Sequence, residues 1–218
     1  MNKKTAGIAK AWLAITALCG WFSLAGQFYL NIHSGAAALP EIIVRYFSYF
    51  TLTTNILVAC YCTIILLGKS DSRLSAFFSR LSTVTAITFY IVIVGVVYNI
   101  ILRPLWKPEG FQQIVNELLH SVVPLLFLLY WLLFIPKTGL PYKAVLPWML
   151  YPLIYIVFVL IRGSFSGFYP YPFIDVSVLG SGQVMLNAVL FTGAFFVLSF
   201  LFVWISNLRP GRNIPKAG

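Results

Sequence analysis

Apolar blocks of about 20 residues recur six times along this chain, and an α-helix of that length spans the hydrocarbon core of a membrane. The 218 residues are 60% hydrophobic and only 9% charged, whereas soluble domains carry about 25% charged residues. Glycine and proline concentrate between the blocks, as in loops. The sequence therefore predicts an all-α membrane protein, a six-transmembrane-helix bundle forming a single integral membrane domain over residues 1–218. The predicted helices are 8–30, 42–67, 83–102, 113–134, 144–161 and 183–206.

The distribution of basic residues predicts the orientation of these helices. Eleven of the 15 Lys and Arg residues fall at the two termini and in the second and fourth loops, and the other four fall on the opposite side. Because cytoplasmic loops carry an excess of Lys and Arg, both termini are predicted to be cytoplasmic. The formal net charge of +10 is scattered rather than gathered in a phosphate-binding patch, so no nucleic acid partner is expected.

Neither a metal site nor a disulfide framework is predicted. Cys19, Cys60 and Cys62 lie in apolar blocks without CxxC spacing, which argues against zinc ligation or paired loop cysteines. Glu117 and His120 have the spacing of a di-iron ligand pair, but such a site needs a second pair and further carboxylates. With two histidines and five acidic residues in the chain, no metal and no cofactor are expected.

Polar side chains inside two of the predicted helices mark a candidate site, because such groups are costly in lipid. One face of the second predicted helix carries Ser48, Thr51, Thr54 and Asn55 at helical spacing. One face of the fourth carries Asn116, Glu117 and His120. Each also has a structural interpretation, since threonine in a membrane helix often bonds its own backbone or joins helices.

Thr51 and His120 are singled out by their expected depth. At 1.5 Å per residue, Thr51 lies roughly 13 Å and His120 roughly 10 Å inside the outer ends of their predicted helices. The two side chains are therefore expected at one level, in a cavity that opens outward. Pro124 has no N–H, so it removes the helical donor of the His120 carbonyl and predicts a distortion at the histidine.

Further residues near the outer side are candidates for lining the cavity or for anchoring the helices at the membrane interface, where tyrosine is favoured. The Tyr-Pro pairs of 169–172 suit a packed lid. The cavity candidates are Tyr98, Asn99, Tyr151, Tyr155, Arg162 and Tyr171.

A threonine beside a histidine is the chemistry of an activated nucleophile, because the imidazole removes the hydroxyl proton. Mid-helix N–H groups are already bonded, so the amides of Asn55 or Asn116 are candidates for stabilising an oxyanion. Glu117 or a tyrosine is a candidate for orienting the imidazole. A proton-coupled transporter using Glu117 and His120, or a non-catalytic lipid-binding protein, is the alternative.

Four segments together, and in order, resemble bacterial members of the androgen-induced-protein superfamily. They are RYFSYFTLTTNIL, VYNIILRPLW, NELLHSVVPLLFLLYWLLFIPK and RGSFSGFYPYPFID. Animal relatives in this superfamily are multi-pass hydrolases of fatty acid esters of hydroxy fatty acids. The resemblance implies that Thr51 and His120 are the essential pair, with a lipid ester as substrate and, in a bacterium, the cytoplasmic membrane as the location. One departure is Glu117, which stands where the animal pattern has a second histidine.

Overall fold

The computed structural model describes residues 2–69 and 71–208, which are helical and contain no strand. Six of the helices in these residues are long and apolar enough to cross a membrane, so the protein is an all-α integral membrane protein, as predicted. They are Lys3–His33, Phe50–Leu67, Leu81–Leu102, Gly110–Phe134, Tyr142–Ser166 and Val176–Leu208. The cytoplasmic orientation stays a prediction, and the C-terminal Arg209, Arg212 and Lys216 that contribute to it lie outside the described residues.

The chain divides into two compact units, Met1–Ile135 and Pro136–Gly218, and the single membrane domain stays a prediction. The first unit contains seven α-helices in its described part, and single π-helical turns follow the fifth and the sixth. The α-helices are α1 (Lys3–His33), α2 (Leu39–Phe47), α3 (Phe50–Leu67), α4 (Arg73–Phe78), α5 (Leu81–Val97), α6 (Gly110–Glu117) and α7 (Val123–Phe134). The π turns are π1 (Tyr98–Leu102) and π2 (Leu118–Val122).

The second predicted helix, 42–67, is wrong as a continuous helix, because the chain breaks between α2 and α3. Tyr49 is extended, with φ −88° and ψ 122°, and the Ser48 hydroxyl donates to the Val44 carbonyl at 2.7 Å. Thr51 therefore lies in the first turn of α3 rather than about nine residues inside a helix. The predicted depth of Thr51, roughly 13 Å, requires the continuous helix and is therefore wrong, because α3 begins at Phe50.

Small residues and satisfied polar groups bring the long helices of the first unit close together. A Cβ on Gly20 of α1 would lie 3.3 Å from the Cβ of Ala59 on α3, so glycine permits this close approach. The indole of Trp131 donates to the hydroxyl of Thr85 at 2.9 Å, which links α7 to α5. Because lipid offers no replacement partners, such bonds inside the unit are needed for stability.

The described part of the second unit, residues 136–208, is built mainly of two long helices and the loop between them. Short helical turns lead into it: a 3-10 turn (Tyr142–Ala144) and α8 (Val145–Trp148). The helix α9 (Leu150–Ser166) then leads through a loop with a 3-10 turn, Pro172–Ile174, into α10 (Val176–Leu208). A kink interrupts α10 at Gly180, whose backbone is not helical (φ 75°, ψ 160°).

The loop of the second unit is packed on the two helices that flank it. The Asn187 amide donates to the Phe173 carbonyl at 2.8 Å, and the Phe173 ring stacks on Tyr171 with centroids 5.2 Å apart. Tyr169 lies against Gly163 of α9. The loop is thus ordered by its own contacts, whereas its role as a lid stays a prediction.

Replacing Gly163 by alanine should destabilise the second unit. The added Cβ would lie 2.1 Å from Cε1 of Tyr169, so the ring must leave its place. We expect the free energy of unfolding to fall by about 1–3 kcal/mol, as for other overpacked sites. Thermal unfolding of the protein in nanodiscs measures this effect. Gly193→Ala is the matched control on α10, where an added Cβ meets nothing within 4 Å; equal stability of the two variants would contradict the packing argument.

Candidate functional site

The distortion that Pro124 predicts is present, as the π turn π2 that contains His120. In π2 the N–H of Val123 donates to the carbonyl of Leu118, whereas in an α-helix it would donate to the carbonyl of Leu119. Pro124 has no N–H for the carbonyl of His120. Two successive carbonyls, those of Leu119 and His120, therefore lose their usual helical donors.

Side-chain amides from two other helical segments donate to these two carbonyls. Nδ2 of Asn55, on α3, lies 3.1 Å from the Leu119 oxygen. Nδ2 of Asn99, on π1, lies 3.3 Å from the His120 oxygen. A Cβ on Gly95 would lie 3.3 Å from the same His120 oxygen, so the glycine lets α5 approach π2 closely.

The amide of Asn55 also connects the backbone of Thr51 to π2. The same Nδ2 donates to the Thr51 carbonyl at 2.8 Å, so it bridges the first turn of α3 and the residue immediately before His120. Asn55 is fully buried and Thr51 is buried. The structure thus brings the turns that carry Thr51 and His120 together, although the helix that carries Thr51 differs from the predicted one.

Two groups fix the orientation of the His120 imidazole. Its Nδ1 lies 2.9 Å from the carbonyl oxygen of Asn116. Because a carbonyl only accepts, Nδ1 carries the proton, and the lone pair of the neutral ring is on Nε2. The ring also stacks on Tyr98, with centroids 4.1 Å apart and planes 24° apart, and the Asn116 amide donates to the Tyr98 hydroxyl.

The carboxylate of Glu117 bonds to Arg103 and Ser121 rather than orienting the imidazole, which corrects one of the two candidates for that role. Arg103 donates to it, and the Ser121 hydroxyl donates to Oε2 at 2.9 Å. The bond and the charge of Glu117 raise the pKa of Arg103 above its ordinary value. The second candidate for orienting the imidazole was a tyrosine, and Tyr98 does stack on the His120 ring.

The amide of Asn55 has no spare donor for an oxyanion, which corrects its predicted role. A side-chain amide has two N–H groups, and those of Asn55 serve the carbonyls of Thr51 and Leu119. Among residues 2–69 and 71–208, the buried Oδ1 of Asn55 has no hydrogen-bond partner, so this atom is an open acceptor. The other candidate, Asn116, directs its amide to Tyr98.

The break before α3 changes the electrostatics at Thr51. The first turn of a helix is the positive end of its dipole and favours negative charge. In the predicted continuous helix 42–67, Thr51 would lie in mid-helix, where the backbone contributes no such field.

The remaining predicted residues divide between the two units. Ser48 and Thr54 are fully buried in the first unit. Four of the cavity candidates belong to the second unit: Tyr151, Tyr155, Arg162 and Tyr171. In that unit Arg162 donates to the Phe168 carbonyl at 3.4 Å.

The sequence interpretation missed Gly95 and Ser121. The sequence spacing indicates both residues. Gly95 precedes Asn99 by four residues and Ser121 follows Glu117 by four, which is the spacing of neighbours on one face of a helix. As for metal ligands, the described part of the chain holds no group of three or more His, Cys, Asp or Glu side chains that would bind an ion.

Comparisons of this chain with models of known protein families, with curated proteins and with solved structures find no match.

Proposed function

We propose that this protein is an intramembrane hydrolase that cleaves a lipid ester, with Thr51 as the nucleophile and His120 as the general base. The observation that carries the proposal is the Asn55 amide, which is 2.8 Å from the Thr51 carbonyl and 3.1 Å from the Leu119 carbonyl. This bridge brings a hydroxyl-bearing turn and an imidazole-bearing turn together. The resemblance to the androgen-induced-protein superfamily supports the same pair, with a fatty acid ester of a hydroxy fatty acid as the candidate substrate.

The reaction follows from the tautomer of His120. Nε2 takes the proton of Thr51 Oγ1 while Oγ1 attacks the ester carbonyl, and the imidazolium then gives this proton to the departing alcohol. Water, deprotonated by the same Nε2, hydrolyses the acyl-threonine to the free acid and restores Thr51. The positive end of the α3 dipole favours the oxyanion that forms in each step.

No observation favours the alternative of a proton-coupled transporter. A relay between Glu117 and His120 would need the carboxylate to exchange protons with the imidazole, but the carboxylate is bonded to Arg103 and Ser121. The other alternative is a lipid-binding protein without catalysis. In that case Thr51 would affect stability alone, and the experiment below distinguishes this outcome.

Reaction with a fluorophosphonate probe tests the nucleophile. We expect mass spectrometry of the labelled protein to find the adduct on Thr51, and we expect Thr51→Val, which keeps the shape without the hydroxyl, to abolish it. Thr53→Val is the matched control on the same helix, because the Thr53 hydroxyl bonds the carbonyls of its own helix, at 3.3 Å to Tyr49 and 3.2 Å to Phe50.

The same variants are then assayed for release of fatty acid from a lipid ester in nanodiscs. Thr53→Val should release it at the wild-type rate and Thr51→Val at the background rate. A folded Thr51→Val protein that releases product as fast as the wild type would overturn the proposal. Accumulation of substrate inside liposomes without any product would favour the transporter instead.

A further inference from the structure

The guanidinium of Arg103 connects two groups on separate segments of the first unit. Its Nη1 donates to Oδ1 of Asn99 at 2.9 Å, and its Nη2 donates to Oε1 of Glu117. The other oxygen of Glu117 accepts from Ser121 at 2.9 Å. The planar fork of arginine serves two acceptors at once, which a lysine ammonium does less well.

The connection continues from Asn99 to the backbone of the catalytic histidine. Nδ2 of Asn99 donates to the His120 carbonyl at 3.3 Å and to the carbonyl of Gly95 at 2.9 Å. Since Pro124 offers the His120 carbonyl no N–H, the amide of Asn99 takes the place of a helical donor. A change at Arg103 therefore reaches the His120 carbonyl through Asn99, whereas Glu117 also contacts π2 directly through Ser121.

We propose that Asn99, Arg103 and Glu117 form a positioning relay for His120. Glu117 holds Arg103, Arg103 holds the amide of Asn99, and Asn99 holds the His120 carbonyl, so that Nδ1 stays on the Asn116 carbonyl and Nε2 stays the acceptor. The consequence for catalysis rests on the proposed function, whereas the effect on the imidazole does not.

Nitrogen NMR of the two histidines in the chain measures the relay directly. His33 is an internal reference, because its Nδ1 also lies 2.9 Å from the carbonyl four residues earlier, that of Tyr29, and it is in neither π turn. In ¹⁵N-histidine-labelled protein without a histidine tag, reconstituted in nanodiscs, His120 should give the two distinct ring signals of an Nδ1–H tautomer.

The Asn99→Asp variant removes the hydrogen-bond donor of Asn99 and keeps its acceptor, because an aspartate still accepts from Arg103 but has no N–H. We expect the two His120 ring signals to move toward each other as the tautomers exchange, while the His33 signals do not change. Asn99→Ser serves as a second variant if Asn99→Asp folds poorly, since its short hydroxyl still reaches its own helix but not π2.

Arg103→Lys should give a smaller shift of the His120 signals in the same direction, because an ammonium does not reproduce the fork. Arg45→Lys is the matched control: Arg45 pairs with Glu41 on α2 at 2.8 Å, outside the relay. It should leave both histidines unchanged.

Kinetics add a readout that a merely structural role would not move. In Asn99→Asp we expect the maximal rate of probe labelling at Thr51 to fall by about 10- to 100-fold, as for a base displaced by about 1 Å. The probe concentration for half-maximal rate should not change.

Two outcomes separate the relay from the proposed function. His120 signals in a folded Asn99→Asp protein that coincide with those of the wild type would overturn the relay, whatever the activity. Signals that move as expected, in a protein whose wild type neither labels nor hydrolyses, would support the relay and remove the proposed function.

Discussion

Under the proposed mechanism, the His120→Ala variant should hydrolyse the lipid ester at least about 1,000-fold more slowly than the wild-type protein, because a threonine hydroxyl without a base is a poor nucleophile. The loss should appear in the maximal rate and not in the Michaelis constant, since a general base acts on proton transfer in the transition state and not on substrate binding. Release of fatty acid in nanodiscs, measured over a range of substrate concentrations, separates the two effects.

Added imidazole should restore part of the activity of His120→Ala. Removing the ring leaves its space between Tyr98, which is stacked on it at 4.1 Å, and the carbonyl of Asn116, which binds Nδ1. A free imidazole fits the same two contacts. Thr51→Val is the control, because no exogenous base replaces the missing hydroxyl. A His120→Ala protein that retains activity within tenfold of the wild type would show that His120 is not the base.

The six membrane-spanning helices were predictable because the membrane imposes a length and a composition on each of them. The break before α3 was not, because no glycine or proline marks it. It depends instead on distant contacts, such as the bond from the Tyr46 hydroxyl on α2 to the Leu24 carbonyl on α1, at 2.9 Å. A local pattern that reads as one helix is thus divided by packing that the pattern does not contain.

The candidate site shows the same division between local and distant causes. The distortion at His120 follows from Pro124, four residues away, and is visible in the sequence. The donors that compensate for it are not, because Asn55 and Asn99 are 64 and 21 residues away from the carbonyls they serve. Their chemistry was recognisable as polar groups in apolar helices, but whether an amide donates to a backbone or to a substrate depends on which helix lies beside it.

Glu117 illustrates how a right spacing leads to an incorrect partner. Its position three residues before His120 suggested contact with the imidazole, whereas the carboxylate turns to Arg103 on the neighbouring segment and to Ser121 one turn later. Opposite charges on adjacent helices attract more strongly than a charge and a neutral ring. The histidine is then left to the Asn116 carbonyl, the acceptor that the helix itself supplies.

Replacing Asn55 by aspartate should destabilise the first unit more than replacing it by leucine, although aspartate is the closer match in shape. Aspartate removes both N–H donors and sets a carboxylate oxygen against the carbonyls of Thr51 and Leu119, which now lie 2.8 and 3.1 Å from Nδ2. A buried charge without a partner costs about 3–5 kcal/mol. Leucine takes the side-chain donor from both carbonyls, but the Thr51 carbonyl keeps the helical N–H of residue 55. Only the Leu119 carbonyl is then left without a donor, at about 1–3 kcal/mol, and leucine also removes the open acceptor Oδ1.

Unfolding of the three proteins by denaturant in matched nanodiscs gives the order of stability, which should be wild type, then Asn55→Leu, then Asn55→Asp. This order depends on the direction of the amide bonds, because a donor at position 55 fits the two nearby carbonyls, whereas a carboxylate oxygen is repelled by both. If Asn55→Asp were as stable as Asn55→Leu, the amide would not bridge α3 and π2, and the proximity of Thr51 to His120 would lose its main support. The effect of one buried asparagine on the stability of the first unit therefore tests the contact behind the catalytic proposal without any assay of catalysis.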